Sequence, residues 1–209
     1  MLDTRERLDE VDDATLVARA AGSDRGAFEA LYRRHNVPLY RTALAMTRDQ
    51  GAAEELLQET FLRAYRHIGR VTVPEGGSLR AWLHRILINL VYDWTARRRS
   101  SMTESLEHVF DRLVTASSLS PERQTERHEL AQVVDEAIDR LPFKQRVVVV
   151  LFYVHDMDLD EIAETLKIPP GTVKSRLYYA RERLREQLLQ DARLPMDVEM
   201  ESHYAPTSA

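Results

Sequence analysis

The run Ile168-Pro169-Pro170-Gly171 constrains what this chain can fold into more than any other four residues, because a helix cannot pass through it. Each proline fixes φ, lacks an amide donor and drives the preceding residue out of helical space, yet proline suits the first position of a new helix. Before the run, Leu159, Ile162, Ala163 and Leu166 recur at helical spacing, and Asp158 with Glu161 has the pattern of a capping box. After it, Val173, Leu177, Ala180, Leu184 and Leu188 form a longer apolar stripe. Short helix, tight turn and longer helix make a helix-turn-helix.

The outer face of the second helix then holds Lys174, Ser175, Arg176, Tyr178, Tyr179 and Arg181. Guanidinium forks bridge guanine acceptors, hydroxyls reach base edges or phosphates, and tyrosine rings touch sugars or thymine methyls. Residues near a recognition helix's N-terminus make most base contacts, so Lys174 to Tyr179 outrank Arg183 and Arg185. A basic amphipathic helix alone is more often a solvated face. The preceding helix, the turn and the exposed tyrosines shift the balance to DNA.

Charge divides the rest of the chain. Residues 80–99 hold five arginines against Asp93, whereas residues 103–129 hold six acids against three arginines, and the whole chain sums to −5. The expected organisation is an acidic segment over 1–12, a helical module over 13–99, a linker over 100–121, a second module over 122–190 and an acidic tail over 191–209. In the first module Phe28, Leu31, Tyr32, His35, Leu39, Ala43 and Met46 share one helical stripe, and Ala53, Leu57, Phe61, Ala64 and Ile68 share another. VTVPEGGS breaks the periodicity, and Ser78 is placed to cap a helix whose buried side is Leu83, Ile86, Leu87, Leu90 and Trp94. In the second module VVVVLFYV has the β-propensity of a strand, but with no partner strand a buried helix is expected. The fold class is therefore all-α, two small helical domains on a flexible linker.

With no cysteine, disulfides and thiolate metal sites are excluded, and the composition fits a reducing cytoplasm. The seven histidines form no metal-binding spacing, so neither a metal nor a cofactor is expected. The first thirteen residues lack the apolar core of a secretory signal, and no apolar run is long enough for membrane insertion.

EIAETLKIPPGTVKSRLYYARERL resembles the last region of extracytoplasmic-function (ECF) sigma factors, the promoter-recognition subunits of bacterial RNA polymerase. AAEELLQETFLRAYRHI and RAWLHRILINLVYDWTARRR resemble that family's polymerase-docking and promoter-melting segments, in the same order. The matches cover about 27–99 and 127–188. The resemblance implies that Glu54, Glu55, Gln58, Glu59 and Leu62 dock on the β and β′ subunits of core polymerase. It also implies that Arg80, His84, Arg85, Asn89, Arg97, Arg98 and Arg99 hold the opened downstream promoter element, while the second module reads the upstream element. On spacing alone, Glu55, Glu59 and Arg63 could equally be helix-surface ion pairs. Trp82 and Trp94 read as core rather than stacking platforms. Pro169-Pro170 departs from the family's single proline followed by a polar residue.

The expected function is non-enzymatic: a cytoplasmic initiation factor that binds core polymerase and promoter DNA, with an anti-sigma factor as a further partner. The rivals are a stand-alone helix-turn-helix regulator, which needs a ligand or receiver domain, and a helical protein-binding adaptor.

Overall fold

The computed structural model describes residues 8, 10–74, 78–101, 121–191 and 193, with backbone alone for 99–101 and 121–129. Most of the expected linker and of the acidic tail lies outside the described residues. All regular elements among the described residues are helical, as the periodicity implies.

The first module contains α1 (Asp13–Ala21), α2 (Arg25–Thr47), α3 (Gln50–His67) with a 3₁₀ turn at Ile68–Arg70, and α4 (Arg80–Ser101). Asp12, Asp24 and Asp49 cap the first three helices, each carboxylate accepting from an amide three residues on. Arg48, in left-handed backbone at φ 56°, ends α2, and Asp49 starts α3 at once, so the two helices are forced to pack antiparallel. Leu31, Leu39, Ala43 and Met46 are buried, as is the Ala53, Phe61, Ala64 and Ile68 stripe of α3. The core also takes in Leu8, from the segment expected to be merely acidic.

The second module contains α5 (Pro121–Asp139), α6 (Phe143–Val149), α7 (Leu159–Leu166) and α8 (Pro170–Leu189). VVVVLFYV is helical, but it widens into a π turn over Val150–Val154. Val147 to Leu151 are buried, so burial overrides their β-propensity. Asp158 Oδ1 accepts from the Glu161 amide at 2.8 Å, and Glu161 Oε2 accepts from the Asp158 amide at 3.0 Å, completing the capping box. Lys167 closes α7 in left-handed backbone, Pro169 is extended, and Pro170 takes the first position of α8. The double proline thus supplies both the stop and the start.

The modules touch. α4 packs on α7, and α2 meets the π turn.

Candidate nucleic-acid interface

On α8, Val173, Leu177 and Ala180 are buried against α6 and α7, which turns the intervening residues outward. Lys174, Ser175, Tyr178 and Tyr179 are exposed, and both tyrosines are 59% exposed with rings 5.5 Å apart at 78°. Two large aromatic side chains left in water on a basic helix face suit a surface that meets a ligand. Arg176 and Arg181 are half-buried. The Ser175 hydroxyl donates to the Gly171 carbonyl at 2.9 Å, so its oxygen keeps acceptor capacity.

Arg181 is held from behind. Its Nε donates to the Tyr153 hydroxyl at 2.8 Å, and its guanidinium lies 5.7 Å from the ring centres of both Phe152 and Tyr153. These rings come from the π turn of α6, which the sequence did not mark as part of the site. The signal available was an aromatic pair ending an otherwise aliphatic helix.

The α4 residues divide. Asn89, Arg97 and Arg98 are exposed, Arg80 and Arg85 are half-buried, and the Arg99 side chain lies outside the described residues. Arg97 Nε donates to the Asp93 carbonyl at 3.3 Å. The Arg98 guanidinium lies 5.1 Å from the Trp94 ring centre and pairs with Asp49 at 3.6 Å. Trp82 and Trp94 are half-buried against the core.

His84 is 1% exposed, so in this arrangement it is not part of the surface. Its Nδ1 is 2.9 Å from the Arg80 carbonyl, which fixes the proton there, and Nε2 has no hydrogen-bond partner. Its ring meets His155 edge to face at 5.0 Å. Burial, with His155, Arg80 and His35 nearby, pushes the His84 pKa down to about 3. Burial, with Arg80 and Arg41, pushes His155 down to about 4, against a small opposing effect of Asp156.

The loop that enters α4 is anchored by Asp13, a buried carboxylate with no signal in the acid-rich sequence around it. Asp13 Oδ2 accepts from the Leu79 amide at 2.7 Å and the Ser78 hydroxyl at 3.1 Å, and is 2.9 Å from His35 Nε2. Its Oδ1 accepts from Arg34 at 2.6 Å. Burial opposes ionisation, but these donors win and hold the carboxyl well below the usual range. The Ser78 oxygen accepts from the Arg80 amide at 3.1 Å, the expected capping contact.

On α3, Glu54, Glu55 and Gln58 are exposed, and Glu59 accepts from Arg63 at 2.7 Å. Leu62 and Tyr65 are each 51% exposed beside them, and Tyr65 packs edge to face on Phe28 at 5.0 Å. This gives α3 an acidic face with an apolar end.

The fold and this face define a two-module helical protein with a helix-turn-helix in its second module. Residues 31–101 match Sigma-70 region 2, and residues 131–184 match Sigma-70, region 4. The chain is 35% identical over 162 residues to the ECF RNA polymerase sigma factor SigE of Mycolicibacterium smegmatis, a match covering 78% of this chain and 62% of that protein. It is 34% identical to SigM of Mycobacterium tuberculosis, covering 84% of each chain, and 34% identical to SigW of Bacillus subtilis, covering 79% and 90%. Among solved structures, CnrH in complex with the cytosolic domain of CnrY superposes with a TM-score of 0.65 at 27% identity, over 86% of this chain and 99% of that one. RpoE of Bartonella quintana, in complex with the anti-sigma factor NepR, gives 0.62 at 26% identity, over 78% and 98%. The chain belongs to the ECF sigma factors of the sigma-70 family.

Proposed function

We propose that this chain binds core RNA polymerase and directs it to promoters, reading the upstream element with α8 and holding the opened downstream element on α4. The observation that carries the reading is the exposed α8 face from Lys174 to Tyr179, in one chain with the acidic, apolar-ended face of α3. On α8, Arg176 and Lys174 supply donors to base edges and phosphates, and the tyrosines supply ring contacts. Arg181, whose Nε is held by Tyr153, lies on the same helix.

Opening a promoter requires unstacking bases, which costs a few kcal/mol per step and must be offset by phosphate contacts and a pocket for the unpaired base. Asn89, Arg97 and Arg98 offer such contacts directly on the α4 surface. Ser78 and Leu79, at the entry to α4, are fixed by Asp13. No chemical step is assigned to the chain; it positions an enzyme. Glu54, Glu55, Gln58, Glu59 and Leu62 form the polymerase-docking face, with Tyr65 extending it.

Such a factor works in the cytoplasm, at the nucleoid when bound to polymerase. No helix among the described residues is long and apolar enough to cross a membrane. RpoE of Bartonella quintana is seen with an anti-sigma factor bound, and an anti-sigma factor is the corresponding partner here. A stand-alone regulator with an α/β receiver is disfavoured because the regular elements of residues 13–74 and 78–101 are all helical. Sequencing genomic DNA enriched with the reconstituted holoenzyme tests the proposal: a shared pair of elements at fixed spacing supports it, and a palindrome enriched without polymerase opposes it.

A further inference from the structure

Arg85 does not point to solvent. Its Nε donates to the Thr165 carbonyl at 3.0 Å, and a second nitrogen donates to the Glu164 carbonyl. Both carbonyls belong to the last turn of α7, where the helix dipole is negative, and the Glu164 carbonyl also accepts from the Lys167 amide at 3.3 Å. A guanidinium from the first module therefore caps the first helix of the helix-turn-helix in the second.

Around this cap lie three more contacts between the modules. His155 Nε2 is 2.6 Å from the buried Thr42 hydroxyl while its ring meets His84. Arg48 donates to Asp139 at 3.0 Å and to the Asp135 carboxylate at 3.1 Å. Tyr92 meets Phe143 edge to face at 5.5 Å. Beside Tyr92 and Phe143 the modules leave a cleft of about 370 Å³, lined by Trp94, Arg98, Phe143 and Arg146 among others. One buried apolar core includes side chains of both modules, but the exposed ion pairs add little and packing beside the cleft is incomplete, which leaves the interface able to open.

We infer that the α4 surface carrying Arg85 has two mutually exclusive occupants: promoter DNA, and the C-terminal end of α7 in the chain's own second module. The inference rests on the reading that Arg85 contacts the downstream element. Guanidinium donors engaged by the Glu164 and Thr165 carbonyls are withdrawn from phosphate or base, and His84 is covered in the same arrangement. Closure thus holds the free chain in a state with part of its downstream grip occupied, and polymerase or DNA must displace it.

The histidine contact makes the closure sensitive to acid. Arg80 faces both rings, Arg41 faces His155 and His35 faces His84; the Arg80 carbonyl opposes them at His84 and Asp156 at His155. A proton on either ring adds positive charge to a site already dominated by cations.

The full chain has no cysteine, so dyes attached at Arg66→Cys and Glu186→Cys, both exposed positions on different modules, report intermodule distance by energy transfer. The expected result is one high-transfer population at neutral pH that loses transfer as pH falls toward about 5, within the range where exposed histidine titrates. Thr42→Val, and separately Asp135→Asn with Asp139→Asn, should lower transfer and tighten binding of a mixed-sequence single-stranded oligonucleotide. The gain is the reciprocal of the open fraction, about tenfold for a chain closed nine times in ten. A low-transfer wild type overturns the inference, as does a chain that stays closed in both variants and with core polymerase. Opening without tighter binding overturns it too, and Arg85→Ala in the opened chain then tells the two claims apart. Weaker binding keeps the DNA reading and removes only the competition, whereas unchanged binding removes the DNA role of Arg85 itself.

Discussion

Tyr153 and Arg181 lie on different helices, and the Tyr153 hydroxyl accepts from Arg181 Nε at 2.8 Å, while the arginine's plane sits by the tyrosine ring. One edge of the guanidinium is thus fixed by protein, which lowers the cost of ordering it on DNA. Tyr153→Phe keeps the ring and removes the bond, so upstream-element binding by the holoenzyme should weaken by about 1 kcal/mol. In an Arg181→Ala background the same change should have no effect, a double-mutant cycle measurable by competition binding. Equal losses in both backgrounds mean that Tyr153 does not act through Arg181.

Arg176 sits in the first half of α8, beside exposed Lys174 and Tyr179. Arg176→Ala should cost about 1 to 3 kcal/mol at the upstream element and relax base choice at one position. Binding to a library of single-base promoter variants checks this. A uniform loss over all variants means a phosphate contact only.

Glu59→Arg reverses charge in the middle of the α3 face and breaks its pair with Arg63. That ion pair is worth well under about 1 kcal/mol, so the fold should survive, as thermal melting will show. Affinity for core polymerase should fall at least about tenfold, as one like-charge clash at an interface implies. Unchanged affinity places the docking surface elsewhere.

Two buried charge systems give separate acid transitions. Asp13 is ionised far below its ordinary pKa, so its stabilisation is complete above about pH 4, the unfolded value, and is lost as pH falls through the lower folded one. His84 and His155 are depressed to about 3 and about 4, so the folded chain favours their neutral forms. Their contribution is complete above the unfolded value near 6.5 and declines as pH drops from there toward the folded values. Urea titrations should therefore show stability falling first below about pH 6.5 and again below about pH 4. His84→Phe should flatten the first decline, and Asp13→Asn should remove about 3 kcal/mol at neutral pH by leaving Arg34 and His35 without their shared partner.

The helix-turn-helix was legible because each of its parts is local. The capping box spans four residues, the stop is Pro169-Pro170, and α8 has one apolar stripe. Asp13 was not, because its partners His35, Ser78 and Leu79 lie far along the chain and nothing in DEVDD separates it from its neighbours. His84 had a readable sign. It shares helical spacing with Ile88 and Val91, both buried, so α4 carries a second buried stripe beside the one from Leu83 to Leu90. The cap that Arg85 places on α7 is a contact between modules, and local periodicity carries no trace of it or of the π turn.

The proposed function is to make core RNA polymerase initiate at promoters it otherwise ignores. Run-off transcription with purified core polymerase, on a template carrying an element pair recovered from holoenzyme-enriched DNA, measures it directly. A discrete transcript that requires this chain and weakens with Arg176→Ala is the expected result. A transcript of equal yield without the chain, or none when both are present and bound, contradicts the claim.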